Sequence, residues 1–517
     1  MNRHFLKHPV FLISSTILIL LITFGLLFSE QFEDTADTLF GWTTTYFGWF
    51  YLLAIFAIVI FLLGLAFTSY GSIKLGNENS EPEFSFFSWI GMLFSAGFGA
   101  GLVFWGVAEP MSHYFAPPFE GIGSKSEEAA RISMGYAFFH QGISQWSVFA
   151  LMGLAIAFLQ FKKKKDGLVS TALTPIIGHN KTVKHSVDIL AVISTVMGVA
   201  TSVGLGVLQM NGGLNIAFNT PQTLLIQMIL IIIMAVAYLF STTTGLKKGI
   251  KYLSTLNLGM AIGLLAFVFF TGPTLFILET FTLAIGDFID HFVSYSLRLE
   301  PYVEGKWVKD WTIFYWAWAI AWSPFVGAFV ARVSKGRTIR EFILGVMIIP
   351  PLIAALWIAV FGGTALYNDM NNGTMIAEAV DQDLTQALFV TFDTLPMTGL
   401  LNGFAIILIF TFLVTSADSA TYILASMTSG GSSTPPLANK VVWGTIIAAT
   451  SLALLSGGGL NALQTASLVS ALPFTIILVL LIFSILSLLK NEMLPIEERD
   501  IQRFEKLQER VEENNND

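Results

Sequence analysis

The feature that most constrains the fold is a series of twelve apolar runs, each close to or above the roughly 20 residues that a helix needs to cross a lipid bilayer. Lipid offers the backbone no hydrogen-bond partners, so such runs cross a membrane as helices. The sequence therefore predicts an all-α integral membrane protein with twelve transmembrane helices. We place the runs near residues 9–29, 48–70, 86–109, 132–160, 188–215, 222–241, 254–276, 311–333, 342–366, 397–425, 440–457 and 466–489.

The composition also indicates a membrane protein, and it excludes thiol chemistry. Charged residues make up 12% of the chain, whereas soluble domains average about 25%. The chain contains no cysteine, which excludes disulfides. The first apolar run follows Arg3 and Lys7 without a small-residue cleavage site, so we interpret it as a retained span and not as a signal peptide.

Lysine and arginine are distributed unequally between the two sides that twelve spans define. If the N-terminus is inside, 22 of the 27 basic residues fall in inner segments and the others in outer segments. Basic residues concentrate in the cytoplasmic loops of membrane proteins. We therefore expect both termini to be cytoplasmic.

The third run contains three alternating glycines, Gly97, Gly99 and Gly101. Each glycine weakens a helix by roughly 1 kcal/mol relative to alanine. One interpretation is close packing of helices through small residues. The other is an unwound stretch whose backbone faces a ligand, since non-helical backbone at this depth is tolerated where it lines a cavity.

The eighth run carries a stripe of aromatic residues. It ends at Ser323-Pro324, where we expect the proline to open the helix because it lacks a backbone donor. The alternatives are a tryptophan-rich packing interface and a substrate cage beside a broken helix. Four of the rings follow helical spacing and lie on one face: Trp311, Tyr315, Trp318 and Trp322.

The third and eighth runs stand five spans apart, so spans three to seven and eight to twelve form two five-helix halves. An odd number of spans in each half makes the repeats inverted, an arrangement typical of secondary transporters that bind their substrate at the membrane midplane. We divide the chain into 1–85 (cytoplasmic N-terminus and two peripheral helices), 86–276 (first inverted repeat), 277–310 (outer amphipathic helix and loop), 311–489 (second inverted repeat) and 490–517 (short acidic cytoplasmic tail).

The tenth run holds adjacent hydroxyl side chains and one acid. Thr415 and Ser416 offer the oxygen ligands that small hard cations prefer. The alternative is that these hydroxyls bond to the preceding turn of their own helix. Asp418 is an intramembrane acid, which is either functional or placed near the cytoplasmic end as a cap or a paired group.

Four motifs are the most specific in the chain: Gly-Phe-Gly-Ala-Gly at 97–101, Gly-Val-Ala-Glu-Pro at 106–110, the tryptophan-rich stretch 311–324, and Val-Thr-Ser-Ala-Asp-Ser at 414–419. With these motifs the chain resembles the betaine/carnitine/choline transporter family over essentially its whole length. The resemblance implies a LeuT-like 5+5 inverted repeat preceded by two extra helices. It also implies a bacterial cell membrane location, frequent homotrimers, and transport of compatible solutes, often coupled to sodium.

A sodium site follows from the resemblance. One ion would be held by backbone carbonyls and two hydroxyls, and both hydroxyl positions match the sodium-coupled members. No lysine or arginine lies in the third, fifth or tenth run to replace the ion. The implied ligands are the carbonyls of Ser95, Phe98 and Phe412 and the hydroxyls of Thr415 and Ser416.

The resemblance also implies a substrate cage, and here the sequence departs from betaine-transporting relatives. Gln141 and Ala319 stand where those relatives have tryptophan, and Phe149 stands where they have tyrosine. Either other rings, such as Phe325 or Trp105, replace the missing ones, or the cage suits another zwitterion with Gln141 as a polar contact. The predicted substrate residues are Gly97, Gly99, Gly101, Gln141, Trp146, Phe149, Trp318, Trp322 and Phe325.

We therefore expect a sodium symporter that imports glycine betaine or a related quaternary ammonium or zwitterionic solute for osmoprotection. The alternatives are sodium-coupled uptake of another zwitterion (ectoine, proline or taurine) and a substrate:product exchanger. The expected partners are the solute, sodium, membrane lipid and further copies of the chain, with no other cofactor and no nucleic acid. An enzyme is not expected, because the acid–base candidates His140 and Glu109 lie on different helices without a metal-binding motif.

Overall fold

The computed structural model describes residues 8–97, 99–244, 247–302 and 305–492, and these residues form a bundle of α-helices. The helices are α1 (Pro9–Leu27), α2 (Ser29–Phe67), α3 (Phe86–Gly97), α4 (Ala100–Phe115), α5 (Glu127–His140), α6 (Ile143–Ala157), α7 (Val169–Ala172), α8 (Thr174–Ile177), α9 (Lys181–Phe218), α10 (Leu224–Thr244), α11 (Lys247–Thr271), α12 (Thr274–Ser296), α13 (Phe314–Val333), α14 (Ile339–Asn372), α15 (Ile376–Gln382), α16 (Ala387–Phe392), α17 (Thr398–Met427), α18 (Leu437–Ser456) and α19 (Gly459–Leu489).

Eleven helical segments in the described ranges are long and apolar enough to cross a membrane. They coincide with eleven of the twelve predicted runs, which confirms the helical membrane fold. The remaining run, 86–109, is divided between α3 and α4, of 12 and 16 residues, and neither is long enough to be counted alone. The exact number of twelve spans therefore stays a prediction.

The glycine-rich run interrupts its helix, which agrees with the second of the two interpretations, an unwound stretch. α3 ends at Gly97 and α4 begins at Ala100, with Gly99 extended between them (φ −143°, ψ 172°). A Cβ on Gly99 would meet no atom within 4 Å, so the backbone there faces open space. The interruption thus exposes backbone in the middle of a span, which requires a cavity beside it.

The predicted opening of the eighth span at Pro324 is wrong, because α13 continues through this residue. Proline lacks the N–H that would bond to the carbonyl of Ile320 one turn earlier. The hydroxyl of Ser323 donates to that same carbonyl at 2.8 Å. The serine thus satisfies the acceptor that the proline leaves, and the helix remains unbroken.

The fourth span is interrupted at a position where we did not predict a break. α5 ends at His140 and α6 begins at Ile143, so Gln141 and Gly142 lie between the two helices. A Cβ on Gly142 would lie 2.6 Å from the carbonyl oxygen of Phe138, which explains the glycine. The adjacent Gln-Gly pair was the available signal for this interruption.

The helix α13 occupies the centre of the bundle and packs mainly against α6, α19 and α9. The first two helices lie at the periphery, α1 against α18 and α2 along α19. The predicted amphipathic segment forms α12. A bidentate salt bridge joins it to α5, in which Arg131 donates two hydrogen bonds to the carboxylate of Asp287 at 2.6 and 2.8 Å. The inverted relationship of the two halves and the five-part division stay predictions, and the tail beyond Glu492 lies outside the described residues.

Candidate substrate cavity

A cavity of about 140 Å³ lies inside the bundle, between the interrupted third and fourth spans and the helices α11, α13, α14 and α17. A water molecule occupies about 10–15 Å³ on this measure, so the cavity suits a solute of about ten non-hydrogen atoms. Eleven of the fourteen predicted site residues line it: Gly99, Gly101, Gln141, Trp146, Phe149, Trp318, Trp322, Phe325, Phe412, Thr415 and Ser416.

The other three predicted residues are Ser95, Gly97 and Phe98. Phe98 lies outside the described residues. Ser95 and Gly97 fall in the last turn of α3, where the structure describes the helix but not the side-chain surroundings. Their predicted roles in binding sodium and substrate stay predictions.

Aromatic rings form two walls of the cavity. On α6, the rings of Trp146 and Phe149 are nearly perpendicular, with centroids 5.3 Å apart. On α13, Trp322 contacts Trp318 at 6.2 Å and Phe325 at 5.5 Å, again edge to face. Ring faces attract cations through their negative quadrupole, so these walls favour a ligand with a delocalised or shielded positive charge.

Trp318 is held in place by three neighbours. Its indole nitrogen donates to the hydroxyl of Ser202 on α9 at 3.2 Å. Its ring stacks on Phe314 with an interplanar angle of 7°. Its outer edge contacts α4 at Gly101, where a Cβ would lie 2.4 Å from Cη2 of the indole. The glycine therefore allows the ring to reach across to the interrupted helix.

The predicted aromatic stripe divides into two parts. Trp318 and Trp322 line the cavity, whereas the first two rings do not. Trp311 and Tyr315 pack instead on Trp105 of α4, at 5.5 and 5.7 Å between ring centroids. Trp105 is 1% exposed and does not line the cavity, so it does not replace a missing cage ring.

Four polar atoms on the cavity lining have no hydrogen-bond partner among the described residues. Two are donors, Nε2 of Gln141 and Nε1 of Trp322, although the Gln141 amide lies close to the hydroxyl of Tyr315. Two are acceptors, Oε1 of Gln145 and Oδ1 of Asn257. Buried polar atoms are almost always paired, so these atoms indicate contacts to a polar ligand.

The predicted ion ligands lie on α17 at one end of the same cavity. The Thr415 hydroxyl donates to the carbonyls of Phe412 and Thr411 at 2.9 and 3.1 Å, and accepts a bond from Asn257 at 3.3 Å. Back-bonding within the helix, the alternative for these hydroxyls, is thus present. The Thr415 oxygen still has one lone pair that accepts no hydrogen bond in these contacts, so back-bonding does not exclude a cation beside Thr415 and Ser416. No lysine or arginine occurs among the lining residues that the structure describes.

Asp418 lies one turn further along α17 and is 6% exposed. Its carboxylate accepts hydrogen bonds from Ser241 and Thr242 of α10. The acid therefore joins α10 to α17, which agrees with the alternative that it is a paired group.

Sequence reasoning missed several lining residues. The chief ones are Gln145, Ser254 and Asn257, all polar side chains within predicted spans or at their ends. Polar residues inside a membrane span are functional candidates, and that was the available signal. Ala354 was also missed.

Long apolar helices around a cavity with aromatic walls are typical of a membrane transporter for a small solute. The chain belongs to the family described as BCCT, betaine/carnitine/choline family transporter, whose family model matches residues 9–494. The resemblance inferred from the motifs is thereby confirmed, and the protein is a multi-pass transporter and not an enzyme.

Relatives with different named solutes are similar to this chain over nearly its full length. The ectoine/hydroxyectoine transporter of Virgibacillus pantothenticus is 59% identical over 491 residues, covering 95% of this chain and 98% of the relative. The glycine betaine transporter OpuD of Bacillus subtilis is 43% identical over 508 residues, covering 97% and 98%. The osmo-dependent choline transporter BetT2 of Acinetobacter baylyi is 37% identical, covering 94% of this chain and 72% of the relative.

Proposed function

We propose that this transporter imports ectoine or a similar cyclic zwitterion together with sodium. The observation that carries the proposal is the combination of three tryptophan rings with an amide at Gln141 and acceptors on Gln145 and Asn257. A relative of 59% identity is named an ectoine/hydroxyectoine transporter, which supports the same solute.

The chemistry of the two leading solutes differs at the positive group. Ectoine carries a planar amidinium with two N–H donors, whereas the quaternary ammonium of glycine betaine has no N–H. A planar amidinium can stack on one of the indole faces that line the cavity while it donates to Gln145 and Asn257. Glycine betaine would leave those acceptors without partners, which costs about 1–3 kcal/mol for each buried group.

Glycine betaine, the solute expected from sequence, remains the second candidate. Three cage tryptophans are retained, Trp146, Trp318 and Trp322, and Phe325 adds a ring to the cavity. Relatives named as glycine betaine transporters support this alternative. A substrate:product exchanger is the third candidate, and it differs by needing no ion gradient.

In the proposed cycle, sodium binds beside Thr415 and Ser416 and the solute occupies the adjoining cavity. The solute carboxylate faces the interrupted third span, where the backbone at Gly99 is not helical. Rocking of one group of helices against the other then exposes the site to the cytoplasm. The inverted repeat, the cytoplasmic termini, the bacterial cell membrane location and the homotrimer belong to the same proposal.

The test is uptake of labelled ectoine and of labelled glycine betaine into proteoliposomes, under an inward sodium gradient and under an equal potassium gradient. The expected result is sodium-dependent ectoine uptake that unlabelled ectoine inhibits at lower concentration than glycine betaine does. Preferred uptake of glycine betaine would establish the second candidate. Sodium-independent uptake that preloaded solute accelerates would establish the exchanger.

A further inference from the structure

A fully buried group of ionisable residues lies beside the cavity, where α4, α5 and α13 meet. Glu109, His113 and His140 are each 0% exposed. Nδ1 of His140 lies 2.6 Å from Oε1 of Glu109, and Nε2 of His113 lies 3.4 Å from the same oxygen. The hydroxyl of Tyr315 donates to the other oxygen of Glu109 at 2.5 Å. We call Glu109, His113 and His140 the buried triad.

The surroundings of the buried triad are mostly aromatic. Nε2 of His140 lies 2.9 Å from the hydroxyl of Thr312, and its ring stacks on Tyr315. The ring of Trp307 packs on His113 with centroids 4.8 Å apart.

The other ionisable groups that face the buried triad are few among the described residues. Tyr136 of α5 contacts both histidine rings. Arg298, which follows α12, lies behind Trp307 and is paired with Glu300. The helix α14 contributes apolar contacts to α4, such as that between Trp357 and Gly106.

Burial favours a state of the triad that carries no net charge. A buried charge is costly unless an opposite charge is paired with it. With a carboxylate and two neutral imidazoles, the triad would carry a net negative charge away from water. One additional proton, shared between Glu109 and a histidine, makes the group neutral and fits the 2.6 Å contact.

The distances favour a proton over a metal ion in this position. Zinc binds nitrogen and oxygen ligands at about 2.0–2.2 Å in a tetrahedral arrangement, which holds the ligand atoms more than about 3 Å apart. The separation of Oε1 and Nδ1 is 2.6 Å, and that contact is a hydrogen bond. Tyr315 and Thr312 occupy further hydrogen-bonding positions of the same side chains.

We propose that the buried triad is a proton-binding site, and that its single proton holds together the three elements that shape the substrate cavity. Glu109 shares α4 with Gly101, His140 immediately precedes Gln141, and Tyr315 precedes Trp318 by one turn of α13. Loss of the proton leaves an uncompensated carboxylate at this junction. Substrate binding and folding stability then both decrease as the pH rises.

The direction in which folding stability changes with pH follows from proton linkage. Histidines in an unfolded chain lose their protons above about pH 6.5, whereas the folded triad keeps one. Stability falls with rising pH wherever the folded state binds more protons than the unfolded state. Between about pH 7 and 9 the unfolding equilibrium therefore shifts toward the unfolded state by up to about tenfold per pH unit, until the folded site itself loses the proton.

The experiment compares the purified full chain with Glu109→Gln, Tyr315→Phe and the control His291→Gln. His291 lies on α12 outside the triad, with a partly exposed side chain. The amide introduced by E109Q can accept from His140 and donate to the Tyr315 oxygen, so this variant retains the contacts without the charge. Thermal midpoints are recorded from pH 6 to 9 without solute, and half-saturation concentrations for uptake are recorded over the same range.

In the parent chain and in H291Q, we expect the thermal midpoint to fall and the half-saturation concentration to rise as the medium becomes alkaline. In E109Q, neither the thermal midpoint nor the half-saturation concentration should show this change at alkaline pH. Tyr315→Phe removes a bond that stabilises the carboxylate, so the proton binds more tightly and the alkaline change should move up by about one to two pH units. If E109Q fails to fold, the shift of the alkaline transition in Y315F still tests whether the buried triad binds the proton.

Parallel pH profiles for the parent and E109Q would overturn the proposal, as would an unmoved or lower transition in Y315F. The melting measurement needs no solute, and uptake is measured with whichever of ectoine and glycine betaine the chain carries. Failure of the ectoine assignment therefore leaves this test unaffected.

Discussion

Gly101 and Trp318 contact each other across the cavity wall, where α4 lies against α13. A Cβ on residue 101 would be 2.4 Å from Cη2 of the indole, closer than any real carbon contact. The position of one cage ring therefore depends on the absence of a side chain on the interrupted span. The same ring is fixed from the opposite side by Ser202.

Substitution Gly101→Ala should displace Trp318. Crowding a packed position typically costs about 1–3 kcal/mol, and a displaced ring no longer lines the cavity in the same way. We expect at least a tenfold increase in half-saturation concentration for uptake. The control is Gly91→Ala in α3, where a Cβ meets nothing within 4 Å. Equal uptake by G101A and G91A would contradict the role of this contact.

Substitution Trp322→Ala should reduce solute binding while the fold is retained. Trp322 borders the cavity, so truncation enlarges an existing space, and its indole packs on Trp318 and Phe325. A lost ring contact to a cation accounts for about 0.5–2 kcal/mol, and further contacts to the solute are lost with it. We expect at least a tenfold loss of affinity, measured by binding to purified protein, and uptake below detection.

The control for Trp322 is Trp49→Ala, whose ring on α2 is 50% exposed. This variant should bind the solute normally. Normal affinity in W322A would exclude the cage.

Substitution Thr415→Val should weaken the dependence on sodium. Valine removes an oxygen that contacts Asn257 and the carbonyls of the preceding turn. We expect the sodium concentration for half-maximal uptake to rise about tenfold or more, whereas Thr415→Ser should retain most of the response. Thr445→Val, an exposed threonine of α18, is the matched control. An unchanged sodium response in T415V would contradict the proposed ion site.

Substitution Gln145→Leu, which removes the unpaired acceptor Oε1, should change the relative affinity for the two solutes. A hydrogen bond to a charged group is worth about 1.5–3 kcal/mol, so ectoine should lose roughly tenfold to a hundredfold in affinity. Glycine betaine, which offers no N–H to the amide oxygen, should lose much less. Competition against labelled solute measures both values in one experiment. A uniform loss for both solutes would indicate a packing role for this residue.

Much of the fold could be predicted because lipid leaves the backbone few choices. The length and apolarity of the runs predicted eleven of the segments, and Gly97 with Gly99 indicated the interruption between α3 and α4 as one of two interpretations. Pro324 was misjudged because a local side-chain bond from Ser323 compensates for the missing donor. Residue preferences alone do not indicate such compensation, which depends on the rotamer of a neighbour.

The cavity could be predicted where residues carry a distinctive chemistry, and less well elsewhere. Trp318 and Thr415 were identified from residue type and spacing, and Trp146 from the family resemblance, and all three line the cavity. Asn257 was missed because a single asparagine in a span gives no indication of which helix it faces. Trp311 was included in a stripe, but it packs on Trp105 because helical spacing fixes a face without fixing its neighbour.

Because of the interruption between α5 and α6, a residue that lines the cavity lies outside the packed helices. Gln141 lies in neither helix, so its side chain can be exchanged without disturbing a helix-packing ridge. Ala319, which lies within α13, is a second position on the cavity wall where the family resemblance leads us to expect tryptophan. A scaffold of this kind can accept a new solute through a few exchanges on the cavity wall, while the packing of the surrounding helices is unchanged.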